Sequence, residues 1–178
     1  IYSADENYKK SNFYLNISYF LNKNFYFNLS LLAENYFINE NYSSSKKILE
    51  IFSEKEEVYF WFKVKKNTQI IKEQKKNKKA LNYLERNFQK INKPSTKIIF
   101  DMANFYKSFG EHDKAIKLYS ELLSKVDRNS NSYADILYRR GGSFERLKKF
   151  KKSDEDLLLS LNIKPGDPYV MNYLAYSW

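Results

Sequence analysis

Between Thr96 and Asn129 apolar side chains recur at spacings of three and four in two blocks. Ile99, Met102, Ala103 and Tyr106 share one face of a first helix. After a break at Gly110-Glu111, the residues Ala115, Ile116, Tyr119, Leu122 and Leu123 share one face of a second. This spacing on both sides of a short break predicts a helical hairpin with one apolar stripe per helix. Ala103 and Ala115 are small where the two helices cross, and larger side chains would push the axes beyond the usual ~8–10 Å. Tyr106 and Tyr119 are expected to fill the space between this hairpin and its neighbour. Gly110 can take positive φ and close the first helix in a left-handed cap.

The pattern recurs along the chain. Leu29, Leu32, Ala33 and Tyr36 precede a turn at Glu40-Asn41-Tyr42, with Ser45, Leu49 and Phe52 behind it. Val64, Thr68 and Ile71 precede a turn at Lys75 to Asn77, followed by Ala80, Leu84 and Phe88. Leu137, Gly141 and Phe144 precede Lys148-Lys149-Phe150, then Ser153, Leu157 and Ser160. The small first-helix positions Ala33, Thr68, Ala103, Gly141 and Ala175 lie 35, 35, 38 and 34 residues apart. A near-constant period of this length is the signature of a solenoid. The long interval coincides with Ser130 to Tyr133, about one extra helical turn before the fourth hairpin.

The small–aromatic–turn–small–aromatic order at this period resembles the tetratricopeptide repeat (TPR), a helix–turn–helix unit. The resemblance implies an all-α, right-handed TPR superhelix of antiparallel helical hairpins. The register divides the chain into a half repeat (1–25), repeats 26–60, 61–95, 96–133 and 134–167, and a half repeat (168–178). Ile1 to Ala4 fits the tail of a first helix, and Tyr8, Ser11 and Leu15 the second helix of that repeat. Met171, Leu174, Ala175 and Trp178 fit half of a new hairpin. Helices ending unpaired expose apolar faces, so more chain on both sides, or self-association through the ends, is expected. The β-prone stretch 12–21 is assigned to helix because the repeat register outweighs local propensity. Expected caps are Ser53 with Glu56 as a capping box, and Asp167 ahead of Pro168.

Composition supports a helical array: 43% hydrophobic residues, 18% aromatic, and only four glycines and three prolines. A core is affordable at this size and a turn-rich β fold is disfavoured. Without cysteine, neither disulfides nor thiolate metal sites can form. No apolar run is long enough to span a membrane. The net charge of +10 is concentrated: residues 63–93 hold eleven basic and two acidic side chains. Lys72, Lys75, Lys76, Lys78 and Lys79 form a basic patch there, a candidate docking surface for nucleic acid or acidic lipid. Against that reading, the excess is lysine with one arginine, and it sits on a turn where charge is easily hydrated.

Catalysis finds no motif. His112 is the single histidine, at the start of a second helix, and is assigned to the surface rather than to a general base. The carboxylate runs at 54–57 and 154–156 suit helix starts and solvated faces, and Gly141-Gly142 lacks the Lys-Ser/Thr of a phosphate loop. The expectation is therefore a non-enzyme without metal or cofactor.

With the apolar stripe assigned to packing, each first helix has one further face, which the TPR resemblance places in a concave peptide groove. The candidate groove residues are Lys65, Gln69 and Lys72, then Phe100, Asn104 and Lys107, then Tyr138 with Gly142 and Glu145, and Arg146 at the edge. Ser30, Glu34 and Phe37 occupy it on the first hairpin. Amides can bond a peptide backbone, lysines can pair with carboxylates, and aromatics can contact apolar side chains. Phe100 stands where the carboxylate clamp of chaperone-binding TPR domains has a lysine, so capture of a chain terminus is not implied. The partner expected is a protein or peptide. Residues 137–178 also resemble a segment of bacterial multi-repeat TPR proteins, through Arg140, Gly141, Glu145, Arg146, Asn172, Tyr173, Leu174, Tyr176, Ser177 and Trp178. That narrower likeness leaves the compartment open between periplasm or envelope and cytoplasm.

Overall fold

A computed structural model describes residues 7–177, the side chains of 176 and 177 excepted. The expectations for Ile1 to Ala4 and for Trp178 lie outside the described residues. Ten α-helices follow one another and no strand occurs among the described residues. They are α1 (Tyr8–Leu21), α2 (Tyr26–Ile38), α3 (Tyr42–Leu49), α4 (Glu57–Glu73) and α5 (Asn77–Phe88). After these come α6 (Thr96–Ser108), α7 (His112–Leu123), α8 (Asn131–Arg146), α9 (Phe150–Ile163) and α10 (Pro168–Ser177). The stretch 12–21 is helical, as the register requires. Two compact units divide near residue 92, α1–α5 and α6–α10.

In each unit, first and second helices pair as hairpins: α2 with α3, α4 with α5, α6 with α7, α8 with α9. The turns are built alike. Glu40, Lys75, Gly110 and Lys148 all have positive φ, at 57°, 58°, 81° and 58°. In each, the next residue's N–H donates five residues back: Asn41 to Tyr36, Lys76 to Ile71, Glu111 to Tyr106, Lys149 to Phe144. The residue with positive φ donates three back, so every hairpin turn is a Schellman cap satisfying two carbonyls of the helix end.

The crossing positions are filled as the period predicts. Ala33, Thr68 and Ala103 are fully buried and Gly141 is buried, as are Ser45, Ala80, Ala115 and Ser153 opposite them. A Cβ on Gly141 would meet Leu157 Cγ at 3.1 Å, which is why no side chain fits. Ala175, in α10, is exposed. In α6–α8, Ile99, Ala103, Ala115, Tyr119, Leu122, Ile136 and Leu137 form one core, with Tyr106 packed against it. In α1–α4, Leu29, Leu32, Leu49, Phe52 and Ile70 do the same. Arg140 of α8 donates twice to Asp156 of α9, at 2.7 Å to each oxygen, and to Ser120 Oγ of α7 at 3.0 Å.

One cap differs from expectation. α4 starts at Glu57, and Glu56, at its N-cap, offers no side-chain hydrogen bond. Ser53 is not the cap residue because 53–56 forms a turn of its own, closed by Glu56 N–H to Ser53 O. The other expected cap is present: Asp167 Oδ1 accepts from Tyr169 and Val170 N–H at 3.0 and 3.4 Å.

Candidate binding face

In the α1–α5 unit, the first-helix face away from the apolar stripe carries Ser30, Glu34 and Phe37 on α2, and Lys65, Gln69 and Lys72 on α4. All six are half-buried. Its central charge is answered internally. Lys66, on α4, reaches back to Glu34 with contacts of 2.6 and 2.8 Å, and its ammonium lies 4.5 Å from the Phe37 ring centroid. Only 12% of the Lys66 side chain is exposed, so the pair is shielded from solvent. Gln69 Oε1 is buried without a hydrogen-bond partner.

In the α6–α10 unit, Phe100, Asn104 and Lys107 lie along α6, and Tyr138, Gly142, Glu145 and Arg146 along α8. They are brought together with Tyr173 of α10 and with Arg139, which the sequence reading did not select. Phe100 packs edge-on against Tyr119, and the Arg139 guanidinium lies 5.2 Å from the Phe100 centroid. Asn104 accepts the Tyr119 hydroxyl at 2.7 Å, so its carbonyl oxygen is already engaged and only its amide N–H groups remain for a ligand. Burial keeps that phenol protonated by pushing its pKa up.

Lys107 lies over the Tyr138 ring at 5.7 Å, and Tyr138 meets Tyr173 edge-on at 6.0 Å. Gly142 makes this possible, since a Cβ there would stand 3.0 Å from Lys107 Nζ and 3.2 Å from the Tyr173 hydroxyl. Glu145 is the carboxylate of α8 in contact with Tyr173. It accepts the Tyr173 hydroxyl at 3.2 Å and pairs with Arg146 at 3.5 Å. Arg139 Nε is buried without a partner. Burial, and then the like charges of Arg139 and Arg146, hold the Lys107 ammonium below the usual lysine range. His112 is half-buried rather than a surface group, with Nδ1 enclosed and unpartnered. Burial and the charges of Arg146 and Lys107 lower its pKa. This face therefore combines three aromatic walls, an amide and three cations, against one carboxylate.

The signal for Arg139 was in the sequence. The repeat offsets of 35 and 38 carry Lys66 through Asp101 onto Arg139. The basic patch belongs to the α1–α5 unit: Lys75, Lys76, Lys78 and Lys79 are exposed about the α4–α5 turn, with Lys72 half-buried. Beyond them, Lys79, Asn82, Tyr83, Arg86, Asn87 and Lys90 line a shallow depression of about 390 Å³ on α5. Among the described residues no cluster of His, Asp or Glu could hold a metal ion, and no helix is long and apolar enough to cross a membrane.

No protein-family model matches the chain, and no curated protein matches it in sequence. Solved structures do match in fold. YrrB, a TPR protein with an unusual peptide-binding site, superposes with a TM-score of 0.64 at 17% identity, over 98% of this chain and 87% of that one. The C-terminal part of a TPR repeat-containing protein from Cytophaga hutchinsonii gives 0.67 at 13% identity, over 99% and 67%. MamA gives 0.62 at 16% identity, over 92% and 86%. The chain thus has the all-α TPR fold.

Proposed function

We propose that the chain is a protein–protein interaction scaffold whose α6–α10 unit holds an extended peptide or partner helix on its first-helix face. The observation that carries this reading is the set of rings and polar groups on that face, Phe100, Asn104, Lys107, Tyr138 and Tyr173 with Arg139 and Arg146 beside them. Aromatic surface with a few convergent polar groups suits an extended segment, whose backbone the amide can bond. Lys65, Gln69 and Lys72 offer a second stretch on the α1–α5 unit by the same reasoning. The likeness to a fold-mate with a peptide-binding site agrees with it. The narrower kinship with bacterial multi-repeat arrays rests on residues 137–178 alone.

The test is selection of binders from a random-sequence peptide display library on the full chain. Amide chemical-shift mapping then locates the selected peptides. Perturbations on α6, α8 and α10, lost in Phe100→Ala, are the expected result. No selected peptide, or perturbations confined to α7 and α9, would refute the reading. Binding that collapses with salt and maps to Lys75, Lys76, Lys78 and Lys79 would favour the basic patch instead.

A further inference from the structure

The two units treat the same repeat position differently. The offset of 35 carries Glu34 through Gln69 onto Asn104, while Lys66 maps onto Arg139. In the α1–α5 unit the cation of one hairpin finds its carboxylate on the preceding first helix, as Lys66 finds Glu34. In the α6–α10 unit the arginine is present but the preceding first helix offers a neutral amide, and that amide's oxygen is taken by Tyr119. Arg139 is left with a buried, unpartnered Nε and no ion pair among the described residues, stacked on Phe100, while Asp135, which lines the same depression, pairs with Lys164 at 3.4 Å. Lys107 makes no ion pair among the described residues and rests on Tyr138 in the room left by Gly142; the field of Glu145 reaches it, but that carboxylate is engaged by Tyr173 and Arg146. Cations packed on rings and short of acceptors are poorly compensated where water is partly excluded.

We propose that the α6–α10 face is a seat for one side-chain carboxylate, an Asp or Glu of an otherwise apolar peptide segment, received between Arg139 and Lys107. The incoming group takes the place that Glu34 fills in the other unit. A guanidinium accepts a carboxylate with two parallel hydrogen bonds, and the flanking Phe100 and Tyr138 rings suit apolar neighbours of the acidic residue. The inference rests on the peptide-binding reading above and adds the chemistry of the bound residue.

The experiment uses the same display library on the full chain, with C-termini blocked, followed by affinity measurement on selected peptides. The expected result is enrichment of Asp or Glu over the unselected input, and at least about a tenfold loss of affinity on replacing that residue by Asn or Gln. Two protein variants separate the seat from the fold. Asn104→Glu supplies the missing carboxylate from within, so it keeps or raises Tm while weakening acidic peptides about tenfold or more. Lys117→Glu, which adds a carboxylate on the exposed side of α7 outside this face, retains binding. The single histidine is a reporter: a carboxylate seated near His112 raises its pKa in an NMR titration, and a neutral peptide leaves it unchanged.

Peptides that map to this face but tolerate Glu→Gln exchange would overturn the carboxylate seat and leave the peptide-binding reading standing. Failure to select any peptide on this face removes both.

Discussion

Four hairpin turns share one backbone geometry, yet only one of them has the residue that geometry favours. Gly110 is at φ 81°, while Glu40, Lys75 and Lys148 are held at 57° to 58°. A side chain in the left-handed region costs roughly 1–2 kcal/mol through the clash of Cβ with the following carbonyl. Glycine escapes that cost but loses about 0.5–1 kcal/mol more backbone entropy on folding. Replacing Glu40, Lys75 or Lys148 by Gly is thus expected to stabilise by about 0.5–1 kcal/mol each, and Gly110→Ala to destabilise by about as much. A Cβ on Gly110 would meet nothing within 4 Å, so that substitution measures the backbone alone. At this chain length 1 kcal/mol moves Tm by roughly 2–4 °C, and thermal melts followed by circular dichroism resolve it. Lys75→Asn, which loses the charge but tolerates positive φ, separates backbone relief from relief of charge repulsion. A neutral Gly110→Ala, or Gly variants that melt lower than the parent, would refute the reasoning.

Other substitutions test other parts. Arg140→Met strands Asp156, whose side chain is 8% exposed, and should cost about 3 kcal/mol, while Arg140→Met with Asp156→Leu recovers most of it; urea midpoints decide. Asp167→Ala removes the α10 cap and should cost about 1 kcal/mol, whereas Ser53→Ala should stay within about 0.5 kcal/mol because Ser53 caps nothing. Lys107 has its pKa lowered from 10.5, so at neutral pH the fold holds a charge it disfavours. Lys107→Met should therefore raise Tm at pH 7, by a margin that shrinks as pH climbs through the lysine range. His112 has its pKa lowered from 6.5, so unfolded chains bind its proton first and stability falls as pH drops below that value. A His112→Gln variant whose pH dependence matches the parent's would refute that account.

The period read from small residues located the four hairpin turns and the buried positions Ala33, Thr68, Ala103 and Gly141, because helix contact demands a small side chain wherever axes approach; Ala175, the fifth, is exposed. It also placed stretch 12–21 in a helix against local propensity. What it missed depended on neighbours rather than on spacing. Ser53-x-x-Glu56 has the letters of a capping box, but the chain makes a turn there and starts α4 beyond it. Selecting face residues by four-residue steps chose Phe100, Asn104 and Tyr138 but passed over Arg139, one step round the helix, whose long side chain reaches the Phe100 ring. His112 was assigned to the surface because its position at a turn says nothing of what packs above it. The aromatics read as waiting for a ligand already pack on other rings, Phe100 on Tyr119 and Tyr138 on Tyr173, the latter in the room that Gly142 leaves.

Within each unit the helices pack mainly against their neighbours in sequence, and the longest reach in the first is from α2 to α4. Little chain has to be looped out before contacts form, so the entropy of closure is small and folding is fast for this size. The same locality governs rupture. Under a pulling force, loss of one hairpin leaves the contacts of the next intact, and extension proceeds by discrete lengths of one repeat rather than in a single collapse. The 38-residue interval between Ala103 and Gly141 would then show as the longest of those steps.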